Sequence, residues 1–397
     1  MNPRHHSEQT TAPGPRALPS PTAEEQAHQE RLTQRLREEI TAADGAIPFD
    51  RFMELALYAP GLGYYAAGKH KFGELGDFVT APELGPLFAR CLARPCRSLL
   101  GGLGGGDILE VGAGSGVLAA DLLRELESLG QLPEHYLILE LGAALRARQA
   151  ETIRQKVPHL FRQVRWLDEL PRDFRGLVLA NELLDAMPVT RFKVTETGIN
   201  ELYVGWDNQH FAWREKMAND PVRARIEPLG LTPGYTSEIN LRAEAWVRSV
   251  ADILKQGALL LIDYGFPRAE FYHPQRAQGT LMCHYRHQAH DDPLRLVGLQ
   301  DITAHVDFSA IAEAGIDAGL ELLGYTSQAA FLLGSGLEQI MGASDPGDTR
   351  VHLELTQQIK KLTLPHEMGE LFKVIALARG VPEALPGFTF QDRRGRL

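Results

Sequence analysis

Glycines recur at every second position in Gly112-Ala-Gly114-Ser-Gly116, directly after the apolar run Ile108-Leu-Glu-Val111. A strand that enters such a turn and leaves as a helix brings backbone close to a ligand, because no Cβ intervenes. The helix behind it offers unpaired N–H groups and a positive dipole end. This is how an α/β fold holds a nucleotide-like cofactor. The dinucleotide fingerprint needs G-x-G-x-x-G, but position 117 is Val and the third glycine comes one residue early. A second apolar run, Tyr136-Leu-Ile-Leu-Glu140, ends in a carboxylate. An acid there can accept from both hydroxyls of a ribose; the alternative is a solvated loop acid. Asn181-Glu-Leu-Leu-Asp185 follows a further apolar run and puts two carboxylates where ligands bind in open α/β sheets. Glu182 and Asp185 could hold a cation by charge-assisted bonds and accept a proton. They could equally begin a helix and complement its dipole. Asp263-Tyr264 ends another strand at the same edge.

The elements that must position these groups follow from periodicity. Strands are predicted at 107–111, 136–140, 163–167, 176–180 and 258–263, with helical stretches between them, and further strands at 320–326 and 371–379. That alternation implies a parallel sheet covered on both faces. Helices are expected over 23–43, from Ile47 with Asp50 as its cap, from 83 to about 100, over 117–126, over 237–255 and over 308–318. The glycine-rich run 101–106 reads as a flexible hinge. Alternating polar and apolar residues over 188–213 suggest β-hairpins inserted after the fourth strand. Segment 266–307 is too long for a plain connection and reads as a functional insertion or lid. Residues 76–83, at the end of a long loop from Pro60, could fold over a bound ligand as a lid, with Asp77, Thr80 and Glu83 as polar contacts, or be a structured surface loop. The expected organisation is a disordered leader (1–23), a helical or lid region (24–100), the core (101–265) with a hairpin insertion at about 188–235, the insertion (266–307), the rest of the core sheet (308–385) and a tail (386–397).

The chain has 397 residues, 41 basic against 51 acidic, for a net charge of −10. That argues against a generic nucleic-acid binder. No apolar run approaches the roughly 18 residues a membrane span needs. There is no apolar secretory segment, and Cys91, Cys96 and Cys283 have no zinc-ligand spacing. A cytoplasmic location is expected, with the mitochondrial matrix as the eukaryotic alternative. His284, His287 and His290 lie three apart, but no closed ligand set accompanies them, so no metal is expected. His305 and Asp307 suit hydrogen bonds that brace the insertion. Tyr64, Tyr65, Phe72 and Phe78 could line a channel or simply pack. A homo-oligomer is left open.

The G-x-G-x-G turn after Leu-Glu-Val resembles motif I of the class I S-adenosylmethionine methyltransferases. Longer stretches are similar to the MidA-type members of that class: residues 56–65, 76–83, 109–116, 180–189, 261–266, 301–308 and 368–374. The resemblance implies an α/β, Rossmann-like seven-stranded sheet of order 3-2-1-4-5-7-6 with the seventh strand antiparallel. S-adenosylmethionine is the implied cofactor, with Gly112, Gly114 and Gly116 at its methionine part. Glu110 would orient that turn or receive the amino group, and Glu140 would take the ribose. Asp168 would accept from the adenine amino group unless it is a helix cap or loop acid, and Asn181, Thr80 and Glu83 would complete the cofactor contacts. Glu182 and Asp185 would clamp and deprotonate an arginine guanidinium, with Asp77, Tyr264 and His305 beside the substrate. The family's mitochondrial members assist assembly of respiratory complex I and are associated with symmetric dimethylation of an arginine on one of its subunits. A protein substrate is therefore the expected partner. A small-molecule methyltransferase and an assembly chaperone that binds the cofactor without turnover are the alternatives.

Overall fold

The computed structural model describes residues 18–67, 80–343, 348–381 and 384–397. Helix α1 (Ala23–Ala42) opens on a capping box: Thr22 Oγ1 accepts from the Glu25 N–H, and the Glu25 carboxylate accepts from the Thr22 N–H. Strand β1 (Ala46–Pro48) runs directly into α2 (Phe49–Tyr58). Asp50 does not cap this helix as expected. Pro48 takes the cap position, where a missing N–H costs nothing, and Asp50 turns to Arg242.

Helix α3 (Leu87–Leu103) continues through Gly101 and Gly102, so the first half of the expected hinge is helical. Its stripe Leu92, Cys96, Leu99, Leu100 and Leu103 packs on the sheet, and that burial outweighs two poor helix formers. Gly104 (φ 72°) then closes it. Strand β2 (Asp107–Val111), α4 (Val117–Ser128), β3 (Tyr136–Leu139), α5 (Ala143–Lys156), β4 (Val164–Leu167) and β5 (Phe174–Asn181) alternate, and the four strands pair in parallel.

The chain then builds a separate antiparallel sheet from β6 (Thr190–Thr195), β7 (Gly198–Asp207) and β8 (His210–Met217). After α6 (Asp220–Ile226), β9 (Thr236–Ile239) returns to pair with β6. A helix from Ser237 was expected here. Pairing with the open edge of β6 claims residues 236–239, and Asn240 caps α7 (Leu241–Ile253) by accepting from the Ala243 N–H. Strand β10 (Leu254–Phe266) re-enters the main sheet beside β5. Segment 266–307 contains α8 (Arg268–Phe271), a small sheet of β11 (Met282–Tyr285), β12 (Gln288–His290) and β13 (Asp301–Thr303), and β14 (Val306–Asp307), which pairs in parallel with the end of β10. Helix α9 (Phe308–Asp317), capped by Asp307, leads to β15 (Glu321–Ser327), α10 (Gln328–Gly334) and finally β16 (Phe372–Arg379).

The main sheet has the order β15-β16-β10-β5-β2-β3-β4, with β16 antiparallel to both neighbours. Helices α3 and α4 cover one face, and α7 and α9 the other. A third core joins α1 and α2 to the two inserted sheets through Leu36, Phe52, Val204, Phe211, Cys283 and Ile302. Among the described residues, no helix is long and apolar enough to cross a membrane.

The three central strands approach one another most closely at glycines. Gly176 (φ 142°) on β5 lies between Asp107 of β2 and Gly257 of β10, and an added Cβ would fall 1.9 Å from the Asp107 carbonyl oxygen. Gly176→Ala should therefore lower stability by about 2–4 kcal/mol, the scale of backbone strain plus a forced shift. A urea midpoint equal to that of the parent would show that these strands do not meet so closely.

Candidate active site

The glycine turn and the end of β3 form one half of the site. Gly112, Gly114 and Gly116 all have positive φ, at 75°, 51° and 82°. An added Cβ at Gly116 would meet the Gln149 Cα at 2.9 Å, and one at Gly112 would meet Leu183 at 3.1 Å. At Gly114 nothing lies within 4 Å, so the middle glycine alone opens onto free space. Gly116 begins α4 without a side-chain cap. The Ser115 hydroxyl donates to Glu83, which fastens the 3-10 turn Ala81–Leu84 to the glycine turn. Thr80 precedes that turn and contributes its carbonyl to the Glu83 N–H. Glu140 accepts from the Gly142 N–H at 2.8 Å on one oxygen and from Gln149 at 3.2 Å on the other.

One cofactor expectation, for Glu110, is corrected by geometry. Glu110 does not reach the turn; it points into the core under α3 and α4 and accepts from Tyr136 at 2.7 Å. Burial raises its carboxyl to about 7 despite that bond. Asp168 is a loop acid, 88% exposed, held at 2.7 Å by Arg146. Arg146 also donates to the Glu140 and Leu167 carbonyls, so it clips together the ends of β3 and β4. The sequence reading missed Arg146, Gln149 and Trp166. A glutamine at a buried position of α5, one turn before Ile153, was the available signal.

The other half lies where β5 and β10 end. No helix begins at residue 182; the chain turns sharply, and Glu182 takes a positive φ of 52°. Complementing a helix dipole is thus excluded for Glu182 and Asp185. Glu182 Oε1 accepts from Asn181 at 3.1 Å and from the Ala81 N–H at 3.4 Å. Asp185 accepts from the Tyr264 hydroxyl at 2.5 Å, while its Oδ1 and the Asn181 Oδ1 are buried without partners among the described residues. Asp263 is fully buried and accepts three backbone N–H groups, from Leu184, Asp185 and Tyr264. Asp301, on β13, accepts from the Tyr65 hydroxyl at 2.9 Å. Tyr65 stacks on Tyr58, whose hydroxyl donates to the Ala186 carbonyl. Tyr64 is buried with its ring edge-on to Tyr65.

Burial is the largest influence on Glu182, Asp185 and Asp263. It raises Glu182 to about 8, with the nearby Asp185 adding to it, and Asp185 to about 6. Asp263 is pushed well above the usual carboxylate range by burial and then by Asp185 and Glu182. His305, expected beside substrate, sits behind Tyr264: its ring stacks on Phe266 and meets Tyr264 edge-on, with Nδ1 3.4 Å from the Thr280 carbonyl oxygen. Burial lowers it to about 4, so it braces the insertion as a neutral ring. Asp307 caps α9 and pairs with Arg268. Asp77, Phe72 and Phe78 lie outside the described residues.

With this geometry established, comparison with known proteins places the chain. A family model described as "Putative S-adenosyl-L-methionine-dependent methyltransferase" matches residues 91–326, from α3 to β15. The chain belongs to this family. It is of the MidA type, and its cofactor is S-adenosylmethionine. The chain is similar to the mitochondrial protein arginine methyltransferase of Danio rerio, 28% identical over 368 residues and 84% of each chain. The homologue of Drosophila melanogaster is 27% identical over 92% of this chain and 89% of its own. A superfamily member from Burkholderia thailandensis, crystallised with S-adenosyl-homocysteine, is 49% identical and superimposes with a TM-score of 0.93 over 96% of this chain and all of its own. The class I methyltransferase fold and methyltransferase activity follow from these relations.

The open space at Gly114 leaves the expectation that this turn meets the cofactor's amino-acid tail open to a direct test. Gly114→Val should abolish S-adenosylhomocysteine binding, read by isothermal titration, while the far-ultraviolet spectrum stays native. Near-parental affinity in a folded variant would remove this turn from the cofactor site. The acids make a second, pH-dependent expectation. A carboxyl raised from 4.5 to about 8 binds its proton more tightly when folded, so its contribution to stability falls as pH rises through that interval. Glu182→Gln does not titrate. The stability of the cofactor-free variant relative to the parent should therefore increase between pH 5 and pH 8. A difference in urea midpoint that stays constant with pH would show that Glu182 titrates normally.

Proposed function

We propose that the chain methylates an arginine side chain of a protein. The observation that carries this reading is the group of acids at the ends of β5 and β10, where the buried Asp185 and Asp263 and the half-buried Glu182 form no ion pair with any Lys or Arg among the described residues. Such a group favours a cationic guest with several donors, and a guanidinium presents five N–H groups in a planar fork. Tyr58 and Tyr65 supply stacked rings beside it. The curated relatives at 27–28% identity are protein arginine methyltransferases, which supports the same acceptor.

When bound, the cofactor supplies an electrophilic methyl group on a sulfonium. Gly114 leaves room for its tail. Two internal donors occupy one acceptor position on each Glu140 oxygen, which leaves one on each for the two ribose hydroxyls. The Asn181 Oδ1 can accept from a ligand N–H, and Asp168 faces the adenine end from the tip of β4. Glu182 and Asp185 accept from the guanidinium and aim one nitrogen. That nitrogen gains a methyl group and must lose one proton. Glu182 takes it, being the acid with the fewest strong internal donors. Asp185 is held by Tyr264 and orients the cation. By the family resemblance, a subunit of respiratory complex I is the first substrate to try.

The test is transfer of tritiated methyl from S-adenosylmethionine to arginine-containing proteins, with mass-spectrometric mapping of the modified residue. Glu182→Gln and Asp185→Asn should each lower single-turnover transfer by about 10²-fold or more, while S-adenosylhomocysteine affinity stays within a few-fold. Parental rates in both variants would place the acceptor elsewhere. Label found only on small molecules would overturn the protein substrate, and binding without any transfer would favour a chaperone.

A further inference from the structure

We infer that Gln149 is a positioning residue for the cofactor: one buried amide, oriented by Trp166, fixes both the Gly114 carbonyl and the Glu140 carboxylate. The inference rests on the reading of Gly114 and Glu140 as cofactor contacts. Helix α5 buries only Gln149 and Ile153, and Gln149 is completely inaccessible to solvent. Burying a primary amide is costly unless its hydrogen bonds are made. Here they are made to three different elements. Nε2 donates to the Gly114 carbonyl at 3.2 Å and to Glu140 at 3.2 Å, and Oε1 accepts from the Trp166 indole at 2.9 Å.

The chemistry of the partners leaves one orientation for this amide. An indole N–H only donates, so it must face Oε1; a backbone carbonyl and a carboxylate only accept, so they must face Nε2. Trp166 thus decides which way the NH₂ points, and the NH₂ joins the two places where the cofactor would be held. The backbone at Gln149 is also pressed against the turn. An added Cβ on Gly116 would lie 2.9 Å from the Gln149 Cα and 3.2 Å from its carbonyl oxygen. A methionine at 149 would fill the volume and hold neither group. A glutamate would set a second carboxylate against Glu140.

The experiment uses the full chain and S-adenosylhomocysteine as the probe, with isothermal titration of the parent, Q149M, W166F, E140A and the E140A/Q149M double variant. Melting temperatures are taken without the probe. Q149M should raise Kd about tenfold or more, the scale for a lost bond to a charged group. W166F, which keeps the amide but frees it to turn, should raise Kd about threefold. In the E140A background Q149M should raise Kd by a clearly smaller factor than in the parent, because the contact with Glu140 is gone and only the one with the Gly114 carbonyl remains. A purely packing role would instead repeat the same factor in both backgrounds and track the melting temperature. Q149M within twofold of the parent, or a loss undiminished by E140A, overturns the inference. Should Q149M fail to fold, an unchanged Kd in W166F overturns it. E140A binding as tightly as the parent overturns the reading of Glu140 beneath it, whereas a weakened E140A beside an unchanged Q149M overturns this inference alone.

Discussion

Several carboxylates are buried at one sheet edge, and Glu182, Asp185 and Asp263 have no Lys or Arg of the described chain to neutralise them. Removing a carboxylate from water is so costly that it must be bonded, paired or protonated. The structure meets this demand unequally. Asp263 receives three backbone N–H groups and becomes a structural post for the 184–185 turn. Asp185 receives one short bond from Tyr264. Glu182 receives only two longer contacts, from a side-chain amide and a distant backbone N–H. The gradient of satisfaction is a gradient of chemistry. The least satisfied acid gains most from a cationic guest and most readily exchanges a proton.

The elements outside the main sheet are explained by the same edge. A Rossmann-like sheet alone would leave these acids in water, with ordinary titration and little hold on a cation. Tyr58 at the end of α2, Ala81 and, from the insertion, Ala304 bond to the edge, and Tyr65 and Asp301 bond to each other beside it. The third core, in which α1 and α2 pack against both inserted sheets, gives those contacts a rigid backing. Low dielectric strengthens each polar contact inside and penalises each unmade one. The insertions therefore act through burial as much as through the groups they bring.

The parallel strands were legible because each is a short apolar run beside a turn signal, as in 107–111 and 136–139. Gly112, Gly114, Gly116, Glu140 and Glu182 stand out as candidates for a related reason: ligands collect at the carboxyl ends of such strands, so position along the run already selects them. What could not be read depends on partners far along the chain. Residues 236–239 carry no strand signal that outweighs the helix after them; the free edge of β6 decides. Gly101 and Gly102 look like a hinge until the stripe of α3 meets the sheet. Glu110 looks like a ligand contact by its place in the motif, yet the alternation of a strand turns it inward to Tyr136. Gln149 is an unremarkable helix residue in sequence, and only the fold brings the glycine turn, Glu140 and Trp166 around its amide.

The two halves of the edge divide an electrostatic problem. In the proposed reaction a sulfonium and a guanidinium, both cations, must come within bonding distance, and in a dry site their repulsion would amount to several kcal/mol. Acids beside the guanidinium offset it without a metal. The cofactor half, by contrast, is built from backbone groups, a neutral amide and one carboxylate whose internal donors keep it directed. Transfer removes the sulfonium charge and releases a proton, so the acids then face one cation fewer. Glu182 can take up that proton because burial has already raised its affinity for one. The same burial that makes the empty site unfavourable thus keeps the edge near neutral on both sides of the reaction. It also means that the cofactor product and the methylated guanidinium leave a site whose charge no longer holds them as strongly as it held the reactants.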